Sequence, residues 1–69
     1  MKLSARNVLK GQVVSVTHGA VNSEVVLRLD GGAEVVSVIT KESAEALGLA
    51  PGKEAYAVIK ASNIMMAVD

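Results

Sequence analysis

A chain of 69 residues with seven Lys or Arg against seven Asp or Glu has room for one small domain, and its zero net charge excludes the broad positive field of a protein that grips a nucleic-acid backbone. Cysteine is absent and His18 is the one histidine, which excludes disulfides, thiolate metal sites and a zinc centre as sources of stability and leaves self-association as the remaining route for so small a core. No apolar run approaches the roughly 20 residues of a membrane span and the first residues lack a charged-then-apolar secretory pattern, so a soluble protein of the cytoplasm with no membrane partner is expected.

Twelve Val, six Leu, three Ile and ten Ala, with Tyr56 as the one aromatic, favour sheet. In chain order, Ser4-Ala5-Arg6-Asn7 supplies a hydroxyl, amides and positive charge ahead of a first strand over residues 9–17. The turn His18-Gly19-Ala20-Val21-Asn22 leads to a second strand over 23–29, and Asp30-Gly31-Gly32 is a hairpin signal that pairs it antiparallel with a third over 33–39. Thr40 can cap a short helix running to Leu47, with Gly48 placed to end it and Pro51-Gly52 to turn the chain back. A fourth strand over 54–59 and a fifth over 64–68 complete the set. The predicted fold is all-β, five strands with one short helix between the third and fourth, as a single domain over residues 1–69.

Strands with one wet face alternate apolar and polar residues. Val13-Val14, Val25-Val26-Leu27, Val35-Val36, the run from Ala55 to Ile59 and Ile64-Met65-Met66 instead put apolar groups on both faces. One short helix cannot cover two faces, so neighbouring copies are expected to cover the second, unless the small Ala and Val side chains are simply exposed.

Chemistry-bearing residues are few. Thr40 as a helix N-cap puts Ser43 at the third helical position, so two hydroxyls crowd an end where unpaired amides favour an anion. The same pair can equally serve as a local cap. Lys60 at a strand end offers a point charge or is merely solvated, and Ser4 with Arg6 can close over a ligand or tie down the terminus. The chain offers no cysteine, one histidine and no clustered carboxylates, which argues against an enzyme. With one aromatic and no basic groove, single-stranded nucleic acid is not the expected partner either.

Taken together, Ser4-Ala5-Arg6-Asn7, Leu9-Lys10-Gly11, Val13-Val14, Glu24-Val25-Val26-Leu27, Ile39-Thr40 with Ser43, Leu47-Gly48 and Val58-Ile59-Lys60-Ala61-Ser62 resemble the molbindins, the small Mop-like molybdate-binding proteins. Several blocks in register over the whole chain make this similarity specific. Related domains occur as ligand-sensing appendages of molybdate importers and molybdate-responsive regulators, and the absence of such segments here implies a stand-alone binder. The resemblance implies a five-stranded OB-type barrel, a homohexamer built as a trimer of dimers, and molybdate or tungstate as the bound oxyanion with no other cofactor. It further implies one class of site formed by Ser4 and the Arg6 amide of one subunit with Thr40, Ser43, Lys60 and the Ala61 amide of its neighbour. A second class would draw on His18, Gly19, Ala20, Val21 and Asn22, where glycine and small residues admit close backbone approach, although a plain surface turn fits the same residues. The protein metal-ligand count is zero in this picture, because donors meet oxygens rather than the metal. The alternative function is a structural or partner-binding OB-like oligomer without an anion ligand.

Overall fold

The computed structural model describes all 69 residues, Met1–Asp69. A long strand β1 (Asn7–His18) organises the fold, because its first half pairs with β4 (Glu54–Ile59) and its second half with β2 (Asn22–Leu29). β2 in turn pairs with β3 (Glu34–Thr40), giving one antiparallel sheet in the order β3-β2-β1-β4. The hairpin expected at Asp30-Gly31-Gly32 joins β2 to β3, with both glycines at positive φ (94° and 99°), where a side chain would be strained.

The register of β1 against β2 slips between Val13 and Ser15, which leaves Val14 as an extra residue, a β-bulge. A bulge bends the strand and switches which parity faces inward, so Leu9, Gly11 and Val13 face the core before it and Val16 packs there after it. The adjacent pair Val13-Val14 thus reflects a change of face within one strand, and it does not by itself mark two buried faces. The sheet curls into a half-barrel whose concave side holds buried Val13, Val25 and Leu27, with Val16, Leu29, Ile39, Leu49, Ala55 and Ala57 packed against them. The glycine at position 11 is required by this curl, since a Cβ there would lie 2.3 Å from the Arg28 carbonyl oxygen.

The helix α1 (Lys41–Ala46) is capped by Thr40 as expected and ends one residue earlier than predicted, at the cap Leu47, with Gly48 at φ 64°. It inserts Ala44, 1 % exposed, into the fold, and the loop after it is fastened to β1 through Gly52 N–H to the Val13 carbonyl and Val13 N–H to the Lys53 carbonyl, both at 2.8 Å.

The expected fifth strand is absent: four strands are present, and in place of the expected five-stranded OB-type barrel the sheet forms a half-barrel. After a short 3₁₀ turn, η1 (Ala61–Asn63), residues 64–68 run on without pairing, with Ile64 extended at φ −98° and ψ 122°. The apolar sequence suits a strand, but a strand exists only where an edge accepts its hydrogen bonds, and this segment meets neither β3 nor β4. Met65, Met66 and Val68 are consequently 93, 89 and 98 % exposed. Only six of 69 residues are buried, a small core for the chain. On the convex face, Val8 lies opposite Val58, and Val26 opposite Val36, with Tyr56 and Val38 also exposed.

Candidate functional site

The strand register places the candidate residues in two groups. Asn7 pairs with Ile59, and its side-chain Nδ2 donates to the Ile59 carbonyl at 3.2 Å. Antiparallel pairing therefore sends Ser4 and Arg6, just before Asn7, and Lys60 and Ala61, just after Ile59, off the same end of the sheet. All four are exposed. Lys60 is extended at φ −64° and ψ 133° and opens η1, with the Asn63 N–H on its carbonyl at 2.9 Å. The Ser4 hydroxyl and the Arg6 and Ala61 N–H groups donate no hydrogen bond within the chain.

Charge at this end is uncompensated. The ion pairs of the chain are Lys10 with Glu54 at 3.3 Å and Arg28 with Glu34 at 2.7 Å, so neither Arg6 nor Lys60 has a carboxylate partner. Lys10 sits outside the group, and the hydrogen bond and charge of Glu54 raise its pKa above the ordinary lysine value.

Thr40 and Ser43 form the second group, at the opposite end of β1. Thr40 pairs with Asn22, and the next rung joins Ser23 to Ile39 on one side and to His18 on the other. Thr40 Oγ1 accepts the Ser43 N–H at 3.1 Å and donates its own proton to Ser43 Oγ at 2.7 Å. Local capping thus occupies the Thr40 hydroxyl proton, and the Ser43 hydroxyl proton is the one the pair leaves for a ligand.

The turn 18–22 adjoins this second group, because the Lys41 N–H donates to the Val21 carbonyl at 2.7 Å. His18 Nδ1 lies 2.6 Å from the hydroxyl of Ser23, which is 1 % exposed, so that ring nitrogen satisfies a buried polar group and Nε2 is left outward. The Gly19 N–H is spent on the Asn22 carbonyl at 2.7 Å, an approach a Cβ would obstruct at 2.9 Å from that oxygen. Ala20, Val21 and Asn22 remain exposed around it.

The structure therefore brings Ser4 and Arg6 beside Lys60 and Ala61 in one chain, and holds Thr40 and Ser43 apart with the 18–22 turn. Sequence reasoning did not assign a role to Asn7, which ties the first group together. Its place at the head of the first strand was visible, but its partner 52 residues away was not. Chemically, both groups are rich in donors and lack a positioned base. No group of three or more His, Asp or Glu converges as a metal site would require. Donors with unpaired cations suit a small ligand that carries negative charge on several acceptor oxygens.

A family model for the TOBE domain matches residues 3–66. A probable molybdenum-pterin-binding protein of Haemophilus influenzae is 46 % identical over 69 residues, covering all of both chains. The solved structure of MopII from Clostridium pasteurianum, in an apo form, superposes with a TM-score of 0.91 at 43 % identity over 97 % of this chain and all of that one. ModG, a cytoplasmic molybdate-binding protein solved with molybdate bound, gives a TM-score of 0.92 at 55 % identity over 94 % of this chain and 46 % of its own. The chain spans about a quarter of the length of the longer curated relatives it matches. This chain belongs to the TOBE-domain family and, within it, to the Mop proteins.

Proposed function

We propose that this TOBE-domain chain binds and buffers molybdate inside the cell, in sites shared between copies of a homo-oligomer. The observation that carries the reading is the pair of incomplete donor groups at opposite ends of β1, one with two cations that no carboxylate neutralises. Relatives named for molybdenum-pterin binding, and ModG with molybdate bound, support the choice of ligand. One copy contributes Ser4 and the Arg6 amide, and its neighbour contributes Thr40, Ser43, Lys60 and the Ala61 amide. The 18–22 turn supplies a second class of site, mainly through backbone. The assembly is a homohexamer, a trimer of dimers, in which each copy is one oxyanion-binding domain over residues 1–69 and acts as a binder rather than a catalyst, in the cytoplasm and without a nucleic-acid or membrane partner. Exposed apolar side chains at Val8, Tyr56 and Val58 on β1 and β4, and at Val36 and Val38 on β3, support self-association.

Selectivity follows from the donors. Molybdate accepts at every oxygen, so a pocket built of donors leaves none of its lone-pair directions opposed. Phosphate carries a proton at neutral pH and brings a donor into a site poor in acceptors. Sulfate is fully ionised but smaller, which stretches the same hydrogen bonds. Tungstate shares the size and charge of molybdate and competes with it. Calorimetric titration of the full chain with molybdate, tungstate and sulfate tests the reading: saturable heat for the first two with none for sulfate is expected, and equal binding of sulfate would refute the selectivity argument. An oligomer that takes up no anion would leave a structural or partner-binding role.

A further inference from the structure

The turn between β1 and β2 leaves two adjacent donors without acceptors. Its Gly19 N–H is taken by the Asn22 carbonyl and its Val21 carbonyl by the Lys41 N–H, both at 2.7 Å, whereas the Ala20 and Val21 N–H groups donate to nothing within the chain. Both residues are exposed. Next to them in sequence stands His18, the one histidine of the chain, at the last position of β1.

His18 is held by a group that leaves its ring no choice of proton. Ser23, opposite it on β2, is 1 % exposed, and the ring Nδ1, at 2.6 Å, is the hydrogen-bond partner of its hydroxyl. A hydroxyl shut away from water needs an acceptor for its proton. An unprotonated Nδ1 is that acceptor; a protonated Nδ1 would donate instead and leave the Ser23 proton nothing to meet. The neutral ring is thereby fixed with its proton on Nε2, which is then a donor and not an acceptor. We propose that Ser23 is a positioning residue that locks His18 as the Nε2–H tautomer, and that this N–H joins the Ala20 and Val21 amides as a third donor to an oxyanion at the turn. The proposal rests on the second class of site in the reading above. It adds selectivity to that site: a ring nitrogen that only donates suits molybdate, whose oxygens only accept, and refuses the O–H of hydrogen phosphate, which Nε2 would accept in the other tautomer.

With a single histidine, nitrogen NMR spectra of the imidazole in the full chain, in mildly alkaline buffer, read this ring without overlap. The wild type is expected to show the Nε2–H tautomer alone and Ser23→Ala a mixture of both, and saturating molybdate is expected to move the wild-type Nε2 resonance. A wild-type ring with its proton on Nδ1, or the same mixture in both chains, overturns the proposal. Binding is read with the double variant His18→Ala, Ser23→Ala, which removes both partners at once and leaves no buried hydroxyl unpaired. Calorimetric titration is expected to show one class of molybdate sites weakened roughly tenfold and the other unchanged, and wild-type affinity at every site overturns the proposal. A wild type that takes up no molybdate fails the reading above and this role with it, whereas one that takes it up with its Nε2 resonance unmoved fails this proposal alone.

Discussion

Ser43→Ala separates ligand binding from local stability, because the cap pair divides its protons unequally. Thr40 Oγ1 accepts the Ser43 N–H at 3.1 Å and spends its own proton on Ser43 Oγ at 2.7 Å, and both side chains are exposed. Removing the Ser43 hydroxyl leaves the cap bond intact and frees the Thr40 proton to turn to water, so stability should change by less than about 0.5 kcal/mol. Affinity is another matter: the lost group is a donor to a dianion, worth on the order of 1.5 to 3 kcal/mol, which corresponds to a Kd raised roughly 10- to 150-fold. Thr40→Ala removes the cap acceptor as well, and should cost about 1 kcal/mol of stability in addition to weakening binding. Calorimetric titration with molybdate and thermal melts of the wild type and both variants read the two effects side by side. An unchanged Kd for Ser43→Ala would refute the assignment of that hydroxyl to the ligand, and a Ser43→Ala melt as low as that of Thr40→Ala would refute the division of protons.

Lys60→Ala should weaken molybdate binding by about tenfold or more in the same titration. Lys53→Ala is its control: Lys53 Nζ donates to the Leu47 carbonyl at 2.5 Å, away from either donor group, and its loss should leave affinity unchanged. Gly11→Ala places a Cβ 2.3 Å from the Arg28 carbonyl oxygen and 2.9 Å from its carbon, so backbone must move; a cost of at least about 2 kcal/mol, seen as a fall in Tm of roughly 10 °C, is expected. Lys10 is held above the ordinary lysine pKa of 10.5 by the hydrogen bond and charge of Glu54, so the pair contributes stability below 10.5 that is lost as pH rises through the folded value. Both side chains are more than half exposed, so the effect is small, and melts of wild type and Glu54→Gln should differ slightly at neutral pH and converge well above 10.5.

Local chemistry made much of the fold legible. Asp30-Gly31-Gly32 announced the β2–β3 hairpin because two residues at positive φ are needed there, and Thr40 announced the helix because its hydroxyl caps an amide three residues on. Features that depend on distant partners were not legible. The bulge at Val14 is set by how β1 must bend to serve both β2 and β4, and so the Val13-Val14 pair was read as two buried faces. The apolar composition of residues 64–68 was read as a fifth strand, which was wrong for one chain, because strand pairing needs an edge that these residues do not meet. For the candidate site, residue types were visible and their grouping was not. Lys60 and Ala61 stand beside Ser4 and Arg6 only because Asn7 pairs with Ile59, a contact across nearly the whole sequence.

The most direct test of shared molybdate sites is native mass spectrometry of the full chain with and without molybdate, with sulfate as the competing anion, because one spectrum reports both assembly and bound mass. The account predicts a hexamer that gains several molybdates and keeps them against sulfate. A monomer that binds molybdate on its own would contradict it, since one chain holds the two donor groups at opposite ends of β1.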